Sequence, residues 1–260
     1  MKISHAMIVL TVSLALITAC GSNAPIAASP SETSVPATEV PETVAGSSSA
    51  DEAEANPTLP PPTAAEAVQS EEQLVLSTFS QPVTATGELL VLYGHLLDAS
   101  GAPLSGFAVE IWQVDTNGIY DHPGDANTAG RDMGFQFYGT TLTDENGLFA
   151  FRTIVPARYE PRPRHIHFKV KQAGHEILTS QFYFTGEVDA AQLGPAGQML
   201  LLDLTNAQDA AGNAVQLAFK DLVVNAGTGG NLTITPSQTE GPYYPVTDLA
   251  AFDNDLANVR

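Results

Sequence analysis

The sequence predicts an all-β protein, a β-sandwich of mostly antiparallel strands preceded by a disordered tether. Three observations carry that expectation. From about Ser80 onward, short segments rich in Val, Leu and Phe recur between clusters of Gly, Pro, Asn and Asp, the pattern of strands joined by turns. No long stretch of that region keeps a strong helical period. Upstream of it the composition differs in kind, with 8 of the 18 prolines falling between Gly21 and Thr63.

The chain begins with Lys2 and a mostly apolar run from Ala6 to Ala19. That run is shorter than the ~20 residues a spanning helix needs and suits the core of a signal peptide, so residues 1–19 are read as an export signal. It ends in Leu16-Ile17-Thr18-Ala19-Cys20. Small residues directly before a cysteine resemble a bacterial lipobox, which implies cleavage before Cys20 and lipid attachment to its sulfur. The alternative is a plain signal peptide with an incidental cysteine. On the first reading the mature chain lies outside the cytoplasm, at the cell surface or in the periplasm, held to a membrane by acyl chains.

Residues 20–78 read as a tether. Between Gly21 and Thr78 there are nine acidic residues and no basic one. Such a stretch buries too little apolar area to offset its ordering entropy, and like charges and prolines keep it extended. The composition allows one short helix near Ala64–Leu76.

Strands are expected at Leu89–Leu97, Ala108–Val114, Leu148–Val155, Ile166–Lys171, Ser180–Phe184 and Val215–Val224. Asp98 to Pro103 and Asp144-Glu145-Asn146-Gly147 carry turn residues between them. Residues 79–226 form the expected sandwich, long enough for a sound core. Residues 227–260 follow it as a Gly-rich joint and a C-terminal arm.

The charge balance, 10 basic against 29 acidic residues for a net of −19, argues against a nucleic-acid partner, which needs a basic face. A single cysteine excludes an internal disulfide and any multi-cysteine metal site. The few cations are unevenly placed: Arg152, Arg158, Arg162, Arg164, Lys169 and Lys171 crowd into twenty positions. This island of positive potential suits a small anion, with Lys169 and Lys171 read as a solvated strand face.

Within the island stands Pro163-Arg164-His165-Ile166-His167-Phe168. On a strand, His165 and His167 share one face while Ile166 and Phe168 pack the other. Two imidazoles so placed suit a metal ion, although a buried histidine is also common as a purely structural residue. Candidate partners are Tyr159, six residues before His165, and Tyr120 in Gly118-Ile119-Tyr120-Asp121-His122. Two phenolates and two imidazoles match a hard trivalent ion such as ferric iron. Taken singly, Tyr120 reads as well as a turn tyrosine and Tyr159 as a core or rim aromatic.

Together, Val109 to Asp115, Gly118 to His122, Thr143 to Gly147, Phe151 to Ile154 with Pro156 and Tyr159, and Arg162 to Phe168 resemble, in order, the intradiol ring-cleavage dioxygenases. The protocatechuate 3,4- and catechol 1,2-dioxygenases belong to that family. The resemblance implies a β-sandwich and a non-haem Fe(III) held by Tyr120, Tyr159, His165 and His167. It implies that Arg162 stabilises charge on the substrate, that Gln181 lies on the next strand beside it, and that Tyr159 leaves the metal to act as a base when a catechol binds. The implied substrates are a catechol-type aromatic and O2, and the implied product is a cis,cis-muconate. An assembly of identical chains is compatible with all of this. The sequence departs from the family in two ways. Only five residues separate Tyr159 from His165, where better-known members carry a longer insertion, so a more open pocket is expected.

The second departure is one of order. Thr235-Pro236-Ser237-Gln238-Thr239-Glu240-Gly241-Pro242-Tyr243-Tyr244-Pro245 and Phe252 to Leu256 resemble a family arm that ordinarily precedes the sandwich. This implies a circular permutation through Gly227-Thr228-Gly229-Gly230, with the arm returning to the mouth of the site, on its own or a neighbouring subunit, and Glu240 or Tyr243 near the substrate. The competing readings are a non-catalytic cell-surface β-sandwich that binds glycan or peptidoglycan, and an iron-binding relative without turnover. The signal, tether and sandwich fit a binding module equally well, but such a module needs no set of two tyrosines and two histidines.

Overall fold

A computed structural model describes residues 64–188, 190–227 and 229–259. The signal peptide, Cys20, the tether up to residue 63 and Thr228 of the joint lie outside the described residues. Helix α1 spans Ala64–Thr78, where the composition allowed a short helix. Its last turn is not part of a solvated stalk: Val75 and Leu76 are buried in the main core together with Phe79.

Ten strands build two five-stranded sheets. In the first, β1 (Leu89–Asp98) is central, with β4 (Leu148–Ile154) antiparallel on one side. On the other side β9 (Ala214–Phe219) runs parallel to it, followed outward by β8 (Thr205–Gln208), while β10 (Leu222–Val224) continues the parallel pairing along β1. The second sheet has the order β3-β2-β5-β6-β7, from Tyr138–Leu142, Ala108–Trp112, His165–Gln172, His175–Phe184 and Leu201–Leu202. Leu90, Leu92, Phe149 and Phe151 from the first sheet and Ile111, Ile166, Phe168 and Phe182 from the second share one core. Fully burying one such side chain contributes ~1.5–3 kcal/mol. This is the expected sandwich. A kinked helix α2, Ala190–Gln198, connects β6 to β7.

Helix α2 and the short strands β7 and β8 were not expected, and three further elements differ from expectation for visible reasons. The segment 215–224 is two strands because the chain jogs at Lys220-Asp221. There Gly94 of β1 packs so closely on the Lys220 carbonyl that a side chain would overlap it, and Lys220 N donates to Tyr93 O at 2.9 Å. Strand β6 starts at His175 rather than Ser180, because the two-residue turn Ala173-Gly174, with φ of 47° and 81°, closes a tight hairpin that carries the exposed His175, Glu176 and Ile177 into register. Strand β3 was not expected. Its Gly139 and two threonines hide a strand that pairs with β2 from Trp112↔Tyr138 to Ala108↔Leu142.

The C-terminal arm leaves β10 through Thr235, whose N–H donates to Val223 O at 2.9 Å, and crosses to the outer face of the second sheet. Gln238 N donates to Thr179 O at 2.9 Å. Further on, Asp255 accepts two hydrogen bonds from Arg152, at 2.8 and 2.6 Å.

Candidate metal centre

Alternation along β5 sends Ile166, Phe168 and Val170 into the sandwich and His165, His167, Lys169 and Lys171 to the outer face. That face is not wet. His165 and His167 are each 2% exposed, because the arm lies over them: Gly241 is so close that a Cβ would stand 3.3 Å from His167 Cε1.

The same cover overturns the solvated reading of Lys169 and Lys171. Lys169 is 4% exposed. It pairs with Glu240, and with Glu176 at 3.0 Å, and its ammonium lies 4.0 Å over the ring of Tyr244. Lys171 donates to Glu110 at 2.7 Å and to the Tyr244 hydroxyl at 2.8 Å. Glu240 therefore anchors the arm rather than facing the centre.

The island of cations is likewise mostly neutralised. Arg152 is fully buried between Asp209 and Asp255, and Arg158 and Arg164 face Glu187. Among the described residues Arg162 alone of the six has no carboxylate partner and donates instead to Gln181 Oε1 at 2.6 Å. Its charge is left to act on the centre.

Tyr120 is delivered by a loop built on Asp115. That carboxylate is fully buried and accepts from the backbone N–H groups of Asn117 (2.8 Å), Ile119 (3.1 Å) and Asp132 (2.7 Å), and Gly118 supplies the positive φ of 75° that the turn needs. Tyr120 N then donates to Asp125 at 3.0 Å. Tyr159 comes from the loop after β4, pinned where Ala157 N donates to Asp115 O at 3.3 Å and Arg162 N to Tyr159 O at 2.8 Å.

The four expected ligands converge. The rings of His165 and His167 are 4.7 Å apart, those of Tyr120 and Tyr159 5.3 Å, and those of Tyr120 and His167 6.2 Å. Nδ1 of His165 donates to Pro163 O at 2.7 Å, which fixes the tautomer and turns the lone pair of Nε2 toward the Tyr120 hydroxyl, 3.1 Å away. Metal-binding histidines ordinarily have a partner of this kind on the other ring nitrogen. His167 instead is held by its ring, stacked flat on Trp112 at 4.8 Å and 6°, while its buried Nδ1 has no hydrogen-bond partner among the described residues.

Trp112 and Asp125 were not singled out in the sequence. The signal for Trp112 was its place on β2, level with His167 on the facing strand. Tyr243 of the arm enters the group too. Its hydroxyl is 2.8 Å from that of Tyr159, and its ring is 4.9 Å from Tyr120 and 5.4 Å from His122.

Burial sets the protonation of the group. It pushes His165 down to about 4 and His167, with the neighbouring His165 ring and Arg162 adding to the effect, down to about 2. Both imidazoles are therefore neutral at neutral pH, the form that binds metals. Burial raises the Tyr120 phenol above its usual range, against the pull of Arg162. The hydrogen bond to Tyr243, and then burial, raise Tyr159 to about 12.

These residues fit a hard metal ion. Two donors bonded to one ion at ~2.1 Å stand about 3 Å apart, which matches the Tyr120 hydroxyl and His165 Nε2 at 3.1 Å. Among the described residues there is no cluster of three or more His, Cys, Asp and Glu suited to a metal, so the donors at hand are phenol oxygens and imidazoles.

A family model described as "Dioxygenase" matches residues 61–226. The chain belongs to this dioxygenase family. The match ends before the arm. Among curated relatives, the chain is 35% identical over 119 residues to the catechol 1,2-dioxygenase of Acinetobacter baylyi, covering 39% of the chain and 37% of that protein. It is 37% identical over 110 residues to the protocatechuate 3,4-dioxygenase beta chain of Burkholderia cepacia, covering 39% and 46%. The chain thus spans less than half the length of these relatives. Among solved structures it is similar to the dioxygenase domain of a dioxygenase carbohydrate-binding protein fusion from Streptomyces sp. SirexAA-E, at 33% identity and a TM-score of 0.43, covering 58% of this chain and 86% of that one.

Proposed function

We propose that this dioxygenase is Fe(III)-dependent and cleaves catechol-type aromatics between the two hydroxylated carbons, giving a cis,cis-muconate. The observation that carries this reading is the meeting of the Tyr120 hydroxyl with Nε2 of a tautomer-fixed His165, with His167 and Tyr159 beside it. Tyr120, Tyr159, His165 and His167 would hold the iron, and two phenolates and two neutral imidazoles suit a hard trivalent ion. Ferric iron held there would supply a Lewis acid for the oxygens of a catechol.

The chain's own residues do the rest. Tyr159, the half-buried member of the tyrosine pair, already has a second hydroxyl to turn to in Tyr243. It therefore has a place to go, and can take a substrate proton at its phenolate oxygen. Arg162, oriented by Gln181, presents the one uncompensated positive charge of the region to negative charge on the substrate ring. Trp112 and the arm exclude water around His167.

The test is colour and oxygen uptake. Iron-loaded protein should absorb visible light through its tyrosinates, lose much of that absorption on Tyr120→Phe, and consume O2 with catechol, protocatechuate or hydroxyquinol. An iron-loaded protein without colour, indifferent to Tyr120→Phe, ends the reading. Colour without uptake on any of the three aromatics points to an iron-binding relative without turnover.

Two further readings belong to this proposal. The order sandwich, joint, arm is a circular permutation, supported by the resemblance of residues 235–245 and 252–256 to a leading arm and by the packing of Gly241 and Tyr243 on the centre. The chain is also an exported lipoprotein anchored through Cys20, supported by the lipobox-like Leu16 to Cys20. Cys20→Ser should move the protein from the membrane fraction to the soluble one, and retention in the membrane would refute the anchor.

A further inference from the structure

A cavity of about 580 Å³ opens beside the loop that carries Tyr120, and none of Tyr120, Tyr159, His165 and His167 lines it. Phe135, Phe137, Tyr138 and Phe252 form its aromatic walls, and Asp121, Arg131 and Asp253 bring charge to it. Its volume lies within the ~300–1,000 Å³ of small-molecule sites, which pair apolar walls with a few placed polar groups.

Tyr138 and Phe252 meet edge to face, with centroids 4.7 Å apart at 81°. That corner lets a flat ring lie on one side chain while touching the edge of the other, the arrangement aromatic pairs prefer. Arg131 is already tied down: its Nε is 3.3 Å from Asp121 Oδ1, and its Nη1 donates to Thr128 O at 3.0 Å. The charges of Arg131 and Asp121 therefore offset each other, and an anionic ligand gains little. Asp121 Oδ2, by contrast, has the Tyr138 hydroxyl at 3.5 Å, the outer limit of a hydrogen bond, and keeps acceptor capacity. Aromatic walls with one under-used acceptor call for a neutral ring bearing a hydroxyl donor.

We propose that this cavity is a second, non-catalytic site for a phenolic ring, which stacks on Tyr138 and Phe252 and donates its hydroxyl to Asp121 Oδ2. Tyr138 also packs against the hydrophobic cluster of Trp112, Val114 and Tyr120, so one ring divides the two sites. The inference stands on the cavity alone and does not need the metal centre to bind iron.

The probe is 4-fluorophenol, which has one hydroxyl and cannot chelate, followed by fluorine NMR on the full metal-free chain. Saturable binding is expected with a Kd on the order of 1 mM, in the range open to so small a ligand. 4-Fluoroanisole, which lacks the donor, should bind about tenfold more weakly, the worth of one hydrogen bond. Met133→Trp at the rim, where the side chain is 70% exposed and folding is not at stake, and Ala251→Trp in the wall should each lower affinity by a similar factor. Tyr120→Phe should leave it unchanged. The proposal is overturned by absence of saturation, by equal affinity for the phenol and its ether, by affinity that neither tryptophan alters, or by loss of binding in Tyr120→Phe, which would move the ligand to the metal centre. It is also overturned if the phenol does not bind and Met133→Trp shifts the sedimentation of the chain, since the cavity would then be a contact between copies.

Discussion

The hydroxyl of Tyr243 lies 2.8 Å from that of Tyr159 and joins the C-terminal arm to the loop after β4 across 84 residues of sequence. This bond is the first cause of the raised Tyr159 phenol, at about 12. Tyr243→Phe removes it. In the metal-free protein, alkaline titration followed by tyrosinate absorbance should then show one tyrosine ionising closer to the ordinary value of about 10. A titration unchanged by the substitution would mean that the two hydroxyls do not meet in solution.

Trp112 is the only tryptophan in the chain, and its ring lies flat on His167 at 4.8 Å. Its emission should report whatever binds that imidazole. Adding ferric iron to metal-free protein is expected to quench most of the fluorescence, and His167→Ala should remove most of the response. Quenching that persists undiminished in His167→Ala would place the iron elsewhere.

Burial of neutral imidazoles gives the metal-free protein a pH dependence of known sign. The unfolded chain protonates His165 and His167 near pH 6.5, whereas the folded chain resists down to about 4 and about 2. The unfolded state therefore binds more protons below pH 6.5, and stability falls as pH falls from 6.5 toward 4. For His165 alone the loss by pH 4 is on the order of 3 kcal/mol. The carboxylates with lowered values are Asp98, Asp132 and Asp209, which start from 3.8, and Glu176, which starts from 4.5, so the three aspartates contribute mainly below this window and Glu176 only at its acid edge. Urea unfolding at pH 7 and pH 4.5 should show the drop, and His165→Asn should reduce it by roughly half, with His167 supplying the rest. A flat profile in the parent chain would contradict the burial of these rings.

Arg152 has no exposed surface and is held by Asp255, Asp209 and the carbonyl of Gln81. It ties β4 to the turn before β9, to the segment before β1 and to the chain's last residues. Arg152→Met leaves two buried carboxylates without their cation, at a cost of ~3–5 kcal/mol. A fall in Tm of many degrees is expected, and much of it should return in the Arg152→Met, Asp255→Leu double variant. Full stability of the single variant would show that the charges are not buried together.

The parts of the fold governed by local pattern were legible. The alternation in His165-Ile166-His167-Phe168 placed the histidines on one face, and the run of short strands announced the sandwich. The parts that failed depend on what another segment supplies. Tyr138–Leu142 reads as a weak strand because Gly139 is small to let the backbone of Asp253 and the side chain of Leu256 approach, a demand made more than a hundred residues away. Lys169 and Lys171 read as solvated because nothing near them in sequence shows that Tyr244 will cover them. At the centre, residue types and spacing pointed to Tyr120, Tyr159, His165 and His167, and Arg162 and Gln181 followed from the family resemblance. The Trp112 stack and the Tyr243 hydrogen bond needed the folded chain to be seen.

The arm that shuts water out from His167 is fastened in part by charge: Lys169 pairs with Glu240 and its ammonium lies against the ring of Tyr244. The sandwich beneath is held by apolar packing. Raising the ionic strength therefore weakens the cover while leaving the walls standing, and salt becomes a means of loosening one without melting the other.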